Sequence, residues 1–173
     1  MPGIVVYVRR EFKDIDCPQQ KLSRLVRSVC RRFRLANATV DIAIVDNDRI
    51  RKLNSRFLNQ KAATDCLAFD LSDGKDSHRW FELVVNGQRA ISESAKRGHS
   101  AGAELALYVT HGLLHNLGFD DLLPLRAGKM HRLEDEILKQ QGFGPVYEKN
   151  MRPRRRRPSG KRHQNPQGHR AKC

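Results

Sequence analysis

The chain has 173 residues, with 33 Lys and Arg against 19 Asp and Glu, a formal net charge of +14 and 39% hydrophobic residues. Length and apolar content suit a single domain with a core of its own. A membrane-spanning class is excluded because no apolar run approaches the roughly 20 residues a bilayer crossing needs, and a disulfide scaffold by the chain's length and apolar content; Cys17, Cys30, Cys66 and Cys173 form no CxxC pair and follow no metal-chelating spacing.

In chain order, Ile4 to Val8 is a β-branched run suited to a strand, and it leads into Arg9-Arg10 without the features of a secretory leader. With unpaired thiols, this predicts a cytoplasmic protein that contacts no membrane. Asp16-Cys17-Pro18 opens a helix whose apolar positions Leu22, Leu25, Val26, Val29 and Phe33 recur at i, i+3 and i+4. Thr39 to Val45 reads as a second strand, and Asp46-Asn47-Asp48 caps a helix from about Arg49 to Phe57. Cys66 to Phe69 is a short third strand, and Phe81 to Val85 a fourth, closed by Asn86-Gly87. Helices near Ala90 to Lys96, Ala101 to Leu117 and Leu125 to Gln141 complete a body without internal repeats. The expectation is an α+β single domain, a mixed central sheet of about four strands with about five helices.

The charge is unevenly spread. From Arg152 to Cys173 there are nine Lys or Arg and no acid, broken by Pro153, Pro158, Pro166, Gly160 and Gly168, so this segment carries +9 and the rest +5. With almost no apolar side chains it cannot offset its ordering entropy by burial. The expected division is a catalytic domain over 1–149 and a disordered basic tail over 150–173, the tail serving as a phosphate-binding arm for RNA or simply as a solvated segment.

The chemistry concentrates between Thr110 and Asp121, in the run THGLLHNLGFDD. His111 and His115 lie four residues apart, so on a helix their rings project from one face and can share a metal ion at about 2.0–2.1 Å. Gly118 follows where a helix that reverses sharply favours a residue able to take positive φ, after which the chain can return Asp120 or Asp121 to the ion. Two imidazoles and one carboxylate leave a coordination position open, which separates a hydrolytic metal site from a structural one. Gly112 stands where a zinc protease of the HExxH type carries its glutamate, so the usual general base for peptide hydrolysis is missing.

These residues resemble a known family. Thr110 to Asp121, together with Thr64-Asp65-Cys66-Leu67-Ala68-Phe69 and Leu133-Glu134-Asp135-Glu136-Ile137-Leu138, is similar to the YbeY family of endoribonucleases and rRNA maturation factors over about residues 38 to 142. The family motif H-G-x-L-H-x-x-G-[YF]-x-H is matched in register by His111, Gly112, Leu114, His115, Gly118 and Phe119. The resemblance implies a zinc-dependent, single-strand-specific endoribonuclease, a metal-dependent hydrolase of a small α+β fold, acting on rRNA precursors in maturation and ribosome quality control, with the ribosomal subunit a possible partner. Two positions depart from the pattern. Asp121 stands where the family has its third histidine, so the implied ligand set is His111, His115 and Asp121, for one Zn2+ ion or, given an oxygen ligand, Mn2+ or another divalent ion. Leu58 stands where the family has an arginine, which leaves Arg56 or Lys61 to supply a cation; with Thr64 of the strand motif these are the expected substrate-binding residues. Attack by water or by the RNA 2′-hydroxyl remains open, as does the alternative of a catalytically weak RNA-binding or ribosome-assembly factor.

Other residues give weaker signals. His131 is a stand-in third ligand or, more simply, a surface histidine; His78 and His99 read as loop residues, and His163 and His169 as tail residues. Trp80 and Phe81 could stack nucleobases, but their place at the start of a strand favours core packing. Asp65 could orient a histidine through its free ring N–H, or cap a turn.

Overall fold

The computed structural model describes residues 3–75 and 77–147. The expected tail from 150 to 173, with His163, His169 and Cys173, lies outside the described residues. Within them the order is β1 (Ile4–Arg10), α1 (Gln19–Arg32), β2 (Ala38–Val45), α2 (Asn47–Leu58), β3 (Cys66–Asp70), β4 (Arg79–Asn86), α3 (Gly87–Arg97), α4 (Ala101–Asn116) and α5 (Pro124–Gln140). Four strands and five helices form the α+β domain that the hydrophobic periods predict.

The sheet runs β1-β2-β4-β3. β1 pairs parallel to β2 and β2 to β4, whereas β3 runs antiparallel to β4 and forms an edge. Successive strand residues face opposite sides. Val40, Ile42, Ile44, Phe81, Leu83 and Val85 therefore join the buried core with Leu22, Leu25, Val26 and Val29 of α1 and with Leu105, Val109 and Leu113 of α4. A smaller cluster of Ala43, Val45, Ile50, Leu67 and Val84 lies on the opposite side of the sheet, under α2. There α2 covers only one end, and Val5, Tyr7, Leu71 and Trp80 stay exposed.

α4 is apolar on nearly every side because neighbours surround it: it packs on β3 and β4 and also against α1, α3 and α5. Its N-terminus is capped by Ser100, whose hydroxyl accepts from the Ala103 N–H at 3.1 Å. A helix held this firmly makes a rigid mount for its last-turn histidines.

Two expectations need correction. Asn86-Gly87 is not a turn; Asn86 ends β4 and directly caps α3, its side chain accepting from Arg89 N at 2.9 Å, so the helix starts three residues earlier than the apolar pattern suggests. Glycine is required at 87 because a Cβ there would lie 2.7 Å from Phe12 and 2.9 Å from Ile44. Trp80 is 46% exposed rather than packed in the core, while Phe81 is fully buried. Core packing thus holds for one of two adjacent residues that the strand pleat sends to opposite faces.

Candidate metal centre

Helix α4 ends in a turn that reverses the chain. Gly118 takes φ +93°, its N–H donates to the His115 carbonyl at 3.0 Å, and the Phe119 N–H donates to the Leu114 carbonyl at 3.0 Å. This is the paired hydrogen-bond pattern by which a glycine just past a helix satisfies the last carbonyls. The reversal brings the Phe119 carbonyl back over the helix, where it accepts from His115 Nδ1 at 3.0 Å, and places Asp121 beside both histidines.

His111, His115 and Asp121 each offer one atom to a group whose members all lie within 4.8 Å of one another. His111 Nε2 and His115 Nε2 are 3.0 Å apart, and the two Asp121 carboxylate oxygens lie 3.7 Å from His115 Nε2 and 3.9 Å from His111 Nε2. The opposite ring nitrogens are already committed. A carbonyl can only accept, so His115 Nδ1 carries its proton, and His111 Nδ1 faces the buried Glu134 carboxylate at 2.8 Å. In the neutral rings the lone pairs on the two Nε2 atoms then point at one another across 3.0 Å beside an anionic oxygen, an arrangement that a cation relieves. The donor set fits a divalent metal, with Glu134 as the outer carboxylate that commonly orients a metal-binding histidine. The same electrostatics act on a proton: burial opposes the charged form of His111, yet the hydrogen bond and charge of Glu134, aided by Asp65 and Asp121, hold its pKa above the ordinary histidine value.

The centre opens into a cleft of about 360 Å3 between α4 and the edge strand β3. Thr64 and Asp65 line one wall, Leu58 and Phe69 another, and His111, His115 and Asp121 the end. Gly112 is explained by the closeness of these walls, since a Cβ there would lie 2.5 Å from Cys66 Sγ and 3.1 Å from Leu83. Any side chain at 112, a glutamate between the histidines included, would have to displace Cys66. Cys66 itself is held as a neutral thiol, because burial and then the Asp65 charge push its pKa up.

Thr64 is where the sequence motif puts it, on the cleft wall. Arg56 and Lys61 are not among the residues that line the cleft; both are exposed, and Arg56 lies 5.5 Å from the centre of the Phe57 ring. The phase of α2 sends Leu58 to the cleft and turns Arg56 away. Asp120, the other candidate ligand, is taken by Arg126 at 2.6 Å. His131 stacks on Tyr147 with ring centroids 4.0 Å apart. Asp65 caps rather than orients: its Oδ1 accepts from Cys66 N at 2.8 Å and Thr64 Oγ1 at 3.1 Å, while the histidine partner is Glu134, 23 residues along the chain from His111. Glu134 stood in the sequence only as one letter of a motif, and nothing local marked it.

A sequence model of the family described as "Endoribonuclease YbeY" matches residues 7–142. Among similar proteins, the endoribonuclease YbeY of Anaeromyxobacter sp. (strain Fw109-5) is 35% identical over 129 residues, covering 68% of this chain and 67% of that protein. That of Syntrophomonas wolfei subsp. wolfei is 30% identical over 131 residues, covering 69% and 84%. The solution structure of TM1509 from Thermotoga maritima is similar with a TM-score of 0.54 at 21% identity, covering 83% of this chain and 95% of that one, which is a likeness of fold.

Proposed function

The chain belongs to the endoribonuclease YbeY family, and we propose that it is a zinc-dependent endoribonuclease that cuts single-stranded rRNA precursors in the cytoplasm, in ribosome maturation and quality control. The observation that carries this reading is the convergence of His111 Nε2, His115 Nε2 and an Asp121 oxygen at the end of an open cleft, with every competing hydrogen bond of the two rings already made. No described helix is long and apolar enough to cross a membrane.

His111, His115 and Asp121 would hold the ion, which when bound supplies Lewis-acid polarisation of a phosphodiester and activation of water. Glu134 and the Phe119 carbonyl keep both rings in the tautomer that presents Nε2. Thr64 and Phe69 line the cleft and would contact the RNA strand in this reading. β3 and α4 approach closely at Gly112, at the floor of this cleft. In this reading residues 1–149 form the catalytic domain, the ribosomal subunit is the partner, and the +9 segment from Arg152 to Cys173 adds phosphate contacts.

A second reading, a weakly catalytic RNA-binding or assembly factor, is favoured by one observation. Leu58 on the cleft wall supplies no charge, and neither Arg56 nor Lys61 replaces it. One experiment decides: purified protein loaded with zinc or manganese is incubated with single-stranded and duplex RNA, beside His111→Ala. Metal-dependent cleavage of the single strand alone supports the nuclease; RNA binding without cleavage under either ion supports the assembly factor.

A further inference from the structure

On the far side of the sheet from α4 a second cavity, of about 240 Å3, opens at the uncovered end of α2. Ala43 and Val84 form its floor, and Leu53, Phe57, Phe69 and Leu71 its walls. It adjoins the metal cleft. Phe57 lines this cavity and its neighbour Leu58 the cleft, while Phe69 lines both, its ring meeting that of Phe57 edge-on at 5.4 Å. Phe69 belongs to the edge strand β3, so the two cavities meet at that edge of the sheet.

One polar group inside is unmatched. Glu82 is half-buried on the sheet face between Asp41 and Phe69, its partners in the register, and makes no hydrogen bond or ion pair among the described residues. Asp41 has its own donor, the Trp80 indole N–H at 2.7 Å. Arg9 and Arg49 border the cavity, both leaning on Glu11 at 3.1 and 3.5 Å and both more than half exposed. A half-buried carboxylate without a donor, walled by aromatic rings and bordered by guanidinium groups, matches a nucleobase that stacks, donates from its edge, and carries a phosphate outward. The volume is below the roughly 300–1,000 Å3 of sites for drug-sized ligands, so it suits one ring system rather than a whole nucleotide.

We propose that this cavity is a nucleobase subsite for the RNA strand that occupies the metal cleft, with Glu82 selecting guanine. Guanine presents two adjacent donors, N1–H and the N2 amino group, to the two oxygens of one carboxylate. Uracil presents one N–H flanked by two carbonyls that would face those oxygens, and in adenine and cytosine a ring acceptor adjoins the amino group. A cationic side chain of a protein partner could also answer Glu82, but Arg9 and Arg49 oppose it, and continuity with the cleft favours the nucleotide. The proposal rests on the nuclease reading only for the identity of the strand.

The test measures binding of 5′-GMP and 5′-UMP to the full zinc-loaded chain by calorimetry, neither being cleavable, in the parent, Glu82→Gln and Leu71→Trp, the last filling an exposed wall of the cavity. The parent should prefer GMP by about tenfold or more. Glu82→Gln should erase that preference while leaving UMP unchanged, and Leu71→Trp should weaken GMP. A parallel arm follows cleavage of a uridine run containing one guanosine; the cut should move with the guanosine in the parent and lose that registration in Glu82→Gln. Equal affinities for the two nucleotides in the parent, or a preference that neither variant alters, overturns the subsite. So does a Glu82→Gln variant that keeps GMP binding but loses affinity for a tri-arginine peptide. Guanine selectivity in a protein that cuts no RNA with either ion would uphold the subsite and refute the nuclease; cleavage without guanine preference would do the reverse.

Discussion

At the start of α4, His99 Nε2 contacts Glu104 Oε2 and Arg97 binds the other carboxylate oxygen at 3.1 Å; near its end, His111 Nδ1 faces Glu134 Oε1 at 2.8 Å. Both carboxylates are fully buried, and both pairs combine a histidine with a glutamate from a neighbouring turn or helix. The difference lies in the other ring nitrogen. His99 is 3% exposed at its side chain and its Nδ1 meets no partner among the described residues, so the ring is closed off from solvent. His111 turns its Nε2 toward His115, Asp121 and a cleft. A histidine–carboxylate pair is thus not a site by itself: sealed, it sits beside the Arg97–Glu104 ion pair that ties α3 to α4; opened to a cavity with other donors, it is half of a candidate metal centre. Tyr108, between the two on α4, belongs to the sealed end, its hydroxyl pushed up in pKa by burial and then by the Glu104 charge.

Breaking the open end should have the largest effect. The double variant His111→Ala, His115→Ala should lose nearly all bound divalent ion by elemental analysis, and RNA cleavage should fall to background. Added metal should no longer raise its melting temperature, because an ion bound only to the folded state contributes about 2.7 kcal/mol at one hundred times its dissociation constant. Unchanged metal content would remove the centre from this cleft.

Breaking the sealed end should do the converse. Glu104→Ala leaves Arg97 and His99 without their shared carboxylate, and removing one member of a buried ion pair costs about 3–5 kcal/mol; Arg97 is about a third exposed, which favours the lower figure. Chemical denaturation would read this cost, while metal bound per folded molecule should not change. A Glu104 variant that folded stably yet lost its metal would show that the two ends are coupled through α4.

The two ends were unequally legible in the sequence. The i, i+4 histidines and the glycine three residues on are a local pattern, and local geometry then delivers the ligands. Glu134 was hidden because α5 meets His111 only through tertiary packing, and its own segment reads as an ordinary amphipathic helix. His99 read as a loop residue, which it is in backbone terms; its burial follows from the tight α3–α4 corner and the inward-facing Glu104, neither of which has a sequence period. Trp80 was misplaced for a related reason. Alternation tells that Trp80 and Phe81 face opposite ways, but not that α1 and α4, backed by α5, fill one face and leave α2 to cover only part of the other.

A smaller change sharpens the comparison from the open side. Glu134→Gln keeps the shape and an acceptor for His111 Nδ1–H but removes the charge, and losing an outer carboxylate weakens metal binding by about 10–100-fold. A competition titration with a zinc chelator reads this directly. The fold should hold, since amide and carboxylate are nearly isosteric, which distinguishes orientation of a ligand from support of the core.

The smallest effect concerns the candidate third ligand, Asp121. Asp121 is 38% exposed at its side chain, so replacing it should alter stability by no more than about 0.5 kcal/mol. Its oxygens lie 3.7 and 3.9 Å from the two Nε2 atoms, close enough to share an ion with them and far enough that a longer imidazole has solvent-side room. Asp121→His exchanges a hard anionic oxygen for a borderline neutral nitrogen, and nitrogen ligands favour zinc over manganese. The ratio of zinc to manganese affinity should therefore rise by about tenfold, roughly 1.4 kcal/mol. Asp121→Ala should weaken both ions together, leaving two histidines to hold the metal. Should Asp121→Ala bind zinc as tightly as the parent, Asp121 is not a ligand. Asp120 could not then take its place without giving up Arg126, nor His131 without leaving Tyr147, so a two-histidine centre completed by solvent would be what remains.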